Sequence, residues 1–424
     1  MGFDQGLSGL NSAAKNLDVI GNNVANTSTV GFKASRAEFA DAYAASVFGV
    51  SNVDVGIGAK MTEVAQEFNQ GNISVTNNPL DLAISGDGFF QLDQSGLATY
   101  TRNGQFQMDK SGFIVDSAGR RLTGNLATAA GVVIGGPPVD LQVSLGVAPP
   151  NVTTTSQLSA NLDATSTAPN TGTAAAPVVP AIAPGTPSTY NYSTTFTVYD
   201  KKGTAQGLTL YFQKDAITAG QWNVAGYIGN NQVLPAPTTV AFAADGTVAT
   251  INGAVPPAVG ALLTTTDTTA IAAPNTGTMT PFSLDLAKLT QYGTSSGVSS
   301  VTQDGYSAGQ FASLSVDKTG LVQGRYTNGQ TLTLGQILLT NFLNPNGLQA
   351  LGDNQWAETS AAGKQNSNAP GNGILGDLQS GAVEESNVDL TSELVNMIVA
   401  QRMYQANAQG IKAQDTVLQT LVNL

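Results

Sequence analysis

The chain has 424 residues, a net charge of −12, no Cys and no His, and only 11% charged residues, against about 25% in ordinary globular domains. The missing thiols and imidazoles exclude disulfides, Ser–His and Cys–His catalysis and nearly all transition-metal sites. An acidic chain with 17 Lys and Arg argues against nucleic acid and anionic membranes as partners. No apolar run approaches the roughly 20 residues needed to span a bilayer, so no membrane insertion is expected.

The N-terminus, MGFDQGLSGLNSAAKNL, lacks the basic n-region and apolar h-region of a Sec signal. Taken alone this points to the cytoplasm. The low charge and the abundance of Thr, Asn, Gly and Ala point instead to an exported surface protein. The first segment carries Phe3, Leu7, Leu10, Ala14, Leu17, Gly21 and Val24 at alternating spacings of four and three, a heptad seam that Ile20 widens. It ends in NNVANTSTVGFK. Here Asn22, Asn23 and Asn26 are expected to end the helix and satisfy its loose carbonyls, Gly31 to allow a turn, and Phe32 to anchor the next segment.

Residues 31–70 read as a linker. From 71 to 145 the pattern changes to short strands and turns: Asn103-Gly104 signals a two-residue hairpin, and Asp109-Lys110-Ser111-Gly112 a turn before Phe113-Ile114-Val115. The same grammar returns at Asp317-Lys318-Thr319-Gly320 and Asn328-Gly329. The two regions, 71–145 and 286–385, are expected to form one β-rich domain split by an insertion at 146–285. Within the insertion the proline-rich piece 164–189 reads as loop, and TTFTVYD (194–200) and LTLYFQ (208–213) alternate like strands around Lys201-Lys202-Gly203.

The last segment restores the heptad with Leu390, Leu394, Met397, Gln401, Tyr404, Ala408, Ile411, Asp415, Leu418 and Val422, flanked by Ile398 and Leu421, with Asn387 and Asp389 as N-cap candidates. The fold class that follows is multidomain α+β: discontinuous N- and C-terminal coiled-coil helices (1–30 and 386–424) around two nested β-rich domains. Half a dozen large apolar side chains on a terminal helix gain about 10–20 kcal/mol when buried. Ordering its backbone of about 25 residues costs a comparable or larger amount, at about 1–2 kcal/mol per residue. The pair therefore needs other copies to cover its remaining apolar face, and the ends are expected to become ordered on assembly.

The chemistry of an active site is absent. Gly86-Asp87-Gly88 lacks the third glycine and the helix of a phosphate loop, Gly363-Lys364 lacks the upstream glycine of a P-loop, and Glu384-Glu385 read as charges favoured at a helix N-terminus. No catalytic, metal or cofactor residues are expected, and the chain is not expected to be an enzyme.

Three stretches carry a resemblance: NNVANTSTVGFK (22–33), SVTNNPLDLAISGDGFFQL with YTRNGQF (74–92 and 100–106), and GAVEESNVDL (381–390) leading into the final helix. Together they resemble the bacterial flagellar axial protein family of rod and hook proteins. The large insert and residues 304–348 look most like the hook branch. The resemblance implies a structural subunit that polymerises outside the cell into a short curved tube, a universal joint between rod and filament. It implies export through the flagellar type III apparatus without a cleaved signal. The partners it implies are other copies of the chain, a distal rod protein, a hook–filament junction protein and a hook cap. Some relatives crosslink through a cysteine, which this chain lacks. A distal rod protein, or a secreted β-rich adhesin with the insert as binding module, are the alternatives.

Overall fold

A computed structural model describes residues 2–42, 56, 58–128, 131–144, 146–234, 238–256, 262–264 and 280–422. The chain divides into two compact units, one built from residues 1–145, 312–325 and 331–424, the other from 146–311 and 326–330.

The first unit holds the two α-helices found among the described residues, α1 (Gly2–Ala25) and α2 (Leu390–Val422). After α1 the chain forms an antiparallel hairpin of β1 (Ser35–Ala42) and β2 (Gly58–Gln66), in register from Ser35 opposite Gln66 to Ala42 opposite Gly58, with a bulge between Glu38 and Phe39. The segment 31–70, expected as a linker, is therefore in large part strand. Its residues 43–55 and 57 lie outside the described residues.

The body of this unit joins early strands to late ones. Ile73–Val75 pairs with Ala382–Glu384, and Leu82–Ser85 with Asp377–Ser380, both antiparallel. The hairpin of Phe89–Gln94 and Leu97–Thr101 receives Arg121–Leu126 on one side and Gln355–Ala357 on the other. Its core includes Leu82, Ile84, Leu92, Leu122 and Leu339, all fully buried. An aromatic cluster adds Phe89, Tyr100, Phe342 and Trp356, with ring centroids 4.7–6.2 Å apart in edge-to-face contacts.

Turn chemistry follows the sequence at two of the three sites in this unit. Asp109 Oδ1 accepts from the backbone N–H groups of Ser111 and Phe113, and Asp317 Oδ1 from those of Thr319 and Leu321. Asn103-Gly104 departs from expectation and makes no two-residue hairpin. Gly104 lies against Leu82, where a Cβ would stand 1.6 Å from the Leu82 carbonyl oxygen, so the glycine serves close backbone approach.

The second unit is all β among its described residues, apart from a short 3₁₀ turn at Pro187–Thr189. Tyr192–Tyr199, Ala205–Lys214, Gln221–Ile228, Thr238–Phe242 and Val248–Ile251 form an antiparallel sheet. In a second sheet Thr155–Asp163 pairs parallel with Ser283–Asp285 and Thr290–Tyr292, and antiparallel with Gly297–Gln303. Residues 286–303, expected in the split domain, thus belong to this unit. Alternation places Phe196, Val198, Leu208, Leu210 and Phe212 in a core shared with Trp222 and Phe282.

Candidate assembly site

Two features of the first unit stand out: the pair of terminal helices, and the root where both meet the β body.

α1 and α2 run antiparallel, with Gly6 beside Ile411, Gly9 beside Asn407 and Asn23 bonded to Glu393. Glycines inside a helix cost about 1 kcal/mol each relative to Ala. Packing explains the two here, because a Cβ on either would come within 2.8 Å of the facing Ile411 or Asn407 side chain. The buried positions of α1 continue at Ala13, Ile20 and Asn23, and α2 answers with a fully buried Ala400.

The seam is therefore displaced by one position from the one read in the sequence. Of the expected contact residues, Ile20 is buried, and Leu10, Leu17, Val24, Met397 and Ile411 are half-buried. Phe3, Leu7, Leu394, Ile398, Tyr404 and Leu418 are exposed, as are the neighbouring Val395, Val399 and Met403. The side chains of Leu421 and Val422 lie outside the described residues. The helix pair closes on small and polar residues together with Ile20 and Ile411, and leaves a set of its larger apolar ones, Leu7, Leu394 and Ile398 among them, in solvent. An exposed row of apolar residues of this kind is a candidate interaction surface.

The N-cap of α2 is Asp389. Its Oδ1 accepts from the Thr391 N–H at 2.9 Å and its Oδ2 from the Ser392 hydroxyl at 2.9 Å. Asn387, the other cap candidate, works elsewhere: Oδ1 accepts from Ala34 N–H at 2.7 Å and Nδ2 donates to the Glu67 carbonyl at 2.7 Å. The Ser392 hydroxyl, then the backbone N–H groups of Ser392 and Thr391, hold the Asp389 carboxyl below the usual carboxylate range. A folded value below the unfolded one means the cap is complete above about pH 4 and is lost as pH falls through the lower folded value. Far-UV circular dichroism is expected to show loss of helix on acidification in that window, with a weaker response in Asp389→Ala; an identical response would remove the cap from the account.

The root explains the asparagine-rich stretch. Asn26 Nδ2 donates to the Asn22 carbonyl at 2.9 Å, ending the helix as expected. Asn23 is buried and acts differently. It donates to the Ser35 carbonyl at 2.8 Å and accepts from the Ser35 N–H at 2.9 Å, pinning the start of β1 to α1. Gly31, at φ +71°, donates its N–H to the Glu384 carbonyl at 2.8 Å. A Cβ there would stand 2.6 Å from the Asn103 nitrogen, so only glycine fits. Phe32 is half-buried and lines a groove.

Next to Gly31 lies a buried ionic triad. Lys33 Nζ contacts Glu384 Oε1 at 2.6 Å and donates to the Asn69 carbonyl at 2.7 Å. Arg102 Nη1 lies 3.3 Å from Glu384 Oε2 and donates to the Gly86 carbonyl at 2.9 Å. The Gly71 N–H donates to Glu384 Oε1 at 2.8 Å. The side chains of Lys33 and Glu384 have no exposed surface, and that of Arg102 almost none. Burial lowers the Lys33 ammonium below its ordinary value while Glu384 pulls it back up; the Arg102 guanidinium is lowered by burial with the same opposition. Glu384, read in the sequence as a helix-dipole charge, is thus the hub of the root. Neither Lys33 nor Arg102 stood out in the sequence as a site residue. Their partner lies 351 and 282 residues away, beyond any local pattern.

Comparisons with known proteins place the whole chain. Family models match at four places: flagella basal body rod protein (3–33), flagellar hook protein FlgE/F/G D1 domain (83–157), flagellar basal body protein FlaE D2 domain (161–306) and flagellar basal body rod FlgEFG protein C-terminal (379–424). The chain is 40% identical over 428 residues to the flagellar hook protein FlgE of Escherichia coli, covering all of both. It is 32% identical over 455 residues to that of Borreliella burgdorferi, covering 99% of this chain and 98% of the other. The crystal structure of Helicobacter pylori flagellar hook protein FlgE2 aligns with a TM-score of 0.50 over 73% of this chain and all of that one. At 14% identity this is a likeness of fold.

Proposed function

The chain belongs to the flagellar hook protein family, as a structural subunit of the bacterial flagellar hook, and from that premise we propose that its copies polymerise through the terminal helices into a curved, flexible extracellular tube. The observation that carries this reading is the row of exposed apolar residues on α2, among them Leu394, Ile398 and Met403, left uncovered by α1. Copies stacked around an axis, with α1 and α2 inward as intertwined coiled coils, would cover it. Head-to-tail contacts of one kind generate such an open helical polymer.

The root gives the helices a fixed purchase on the β body, so that load on one copy passes through the Lys33–Glu384–Arg102 triad and the Asn23 and Asn387 bonds. Outside the helices, weak hydrated contacts with few charges let neighbours slide as the curved tube rotates, because exposed ion pairs and water-mediated contacts exchange at little cost. The proposed partners are a distal rod protein at one end, a hook–filament junction protein at the other, a cap during growth, and the type III export apparatus. A straight distal rod subunit and a secreted adhesin are not favoured, since the relatives matched over the full length are hook proteins.

Electron microscopy of the concentrated protein is expected to show tubes. Protein that stays monodisperse at every concentration, with both helices protected in amide exchange, would overturn the reading.

A further inference from the structure

Resting on that reading of self-assembly, we propose that Leu343 is a docking knob that enters a groove at the root of a neighbouring copy. Leu343 is 92% exposed, more than any other large apolar residue among the described ones. It does not sit on a loose loop. The Asn344 N–H donates to the Ala362 carbonyl at 3.1 Å, its side chain to the Ala361 carbonyl at 3.1 Å, and the Thr359 hydroxyl bonds the Gly347 carbonyl. The preceding residue, Phe342, is buried against Tyr100 with ring centroids 4.7 Å apart. Phe342 anchors the loop and Leu343 points out, so the ordering cost of presenting it is met before any contact forms.

The groove, about 470 Å³, lies in the same unit between α1, β2 and the Gln349–Gly352 and Gln355–Ala357 hairpin. Val19, Phe32, Val64, Ala350 and Trp356 supply its apolar walls, and amides such as Asn22 and Asn354 its polar ones. The size admits a leucine together with the turn that carries it. Leu343 does not fill the groove of its own chain, since it is almost wholly in solvent.

Self-assembly into the hook makes a second copy the occupant, and charge is compatible with it. The chain carries −12, so like-charged copies meet at lower cost where the touching surfaces are uncharged. The loop from 342 to 348 contains no charged residue, and an uncharged knob meets no like charge from Asp18 or Asp353, the groove's carboxylates. Each copy carries both knob and groove, so the contact, made head-to-tail as in a helical polymer, repeats along it.

The absence of cysteine from the chain makes the test clean. L343C protein is mixed with V64C protein, assembled into tubes and oxidised. The expected product is an L343C–V64C heterodimer in the assembled fraction and none in the dispersed one, because a disulfide forms only when the Cα atoms come within about 7 Å. In parallel, Leu343→Ser is expected to raise the critical concentration for assembly on the order of ten- to a hundredfold, the loss of one buried leucine. It should leave the melting of the dispersed protein unchanged. Wild-type protein that assembles while Leu343→Ser assembles equally well, or L343C that crosslinks only to itself, overturns the knob and leaves the hook reading intact. Wild-type protein that never assembles overturns both.

Discussion

Replacing Glu384 with Gln is expected to destabilise the helix-bearing unit by about 3–5 kcal/mol, the cost of leaving buried charge without its partner. The carboxylate answers three donors: the Lys33 ammonium, the Arg102 guanidinium and the Gly71 N–H. An amide keeps one acceptor oxygen and turns a donor toward a cation. The triad holds two cations against one carboxylate, so removing one cation leaves a balanced pair. Lys33→Met and Arg102→Met are therefore expected to cost less than Glu384→Gln, although Arg102→Met takes a donor from the Gly86 carbonyl, whereas the Asn69 carbonyl keeps the Asn387 Nδ2 donor when Lys33 is replaced. The measurement is denaturant unfolding followed by tryptophan fluorescence. The chain has two tryptophans, Trp356 in the first unit and Trp222 in the second, both buried, so a Trp222→Phe background isolates the unit in question. A Glu384→Gln midpoint equal to wild type, or a ranking with Lys33→Met the most damaging, would show that the triad does not hold the root together.

That prediction has no counterpart in the sequence reading, for a physical reason. Periodicity and turn chemistry are local. They located both helices, the strands on either side of Lys201-Lys202-Gly203, and the Asp-initiated turns at 109 and 317. The triad is made by closing the chain on itself, and nothing near Lys33 announces a carboxylate at 384. Glu384 and Glu385 look alike as neighbours; only the pairing of Ala382–Glu384 with Ile73–Val75 carries the first of them inward. Asn103-Gly104 failed for a related cause: a dipeptide fitted for a tight turn serves equally where another backbone passes close, and the passing strand is remote in sequence. The hairpin of β1 and β2 was missed because its strands mix charged and small residues. Their half-exposed pattern gives no clean alternation.

The helix seam is the most informative departure. Heptad reading assigns the largest apolar residues to the contact, since in a lone globular protein they face the core. Here Gly6, Gly9, Ala13 and Ala400 face the partner helix, and Leu7, Leu394 and Ile398 do not. A chain that stopped at the monomer would gain by the opposite choice. On the proposed assembly, a chain whose copies must still meet would gain by keeping close-packing small residues for the internal seam and larger ones for the external contact.

The mutation that follows separates assembly from folding. Leu394→Asp combined with Ile398→Asp is expected to abolish tube formation while leaving the dispersed protein's melting unchanged, because both side chains are about half exposed, at 43% and 51%, before any copy arrives. Burying each apolar side chain contributes about 1.5–3 kcal/mol. Replacing it with a carboxylate adds the cost of desolvating an unpaired charge. Two such losses in every copy raise the critical concentration by at least on the order of a thousandfold, beyond what the protein can reach in solution. Leu10→Asp with Leu17→Asp makes the instructive contrast. Those residues are half-buried in the monomer, so the change should impair the helix pair and assembly together. Sedimentation and electron microscopy read the assembly, and circular dichroism the fold. Tubes growing from the Leu394→Asp, Ile398→Asp protein at wild-type concentrations would mean that the exposed face of α2 is not where copies meet. On the proposed assembly the loop at Leu343 differs in degree: its loss would weaken a contact between bodies still held by their helices, whereas the loss of the α2 face would remove what holds them.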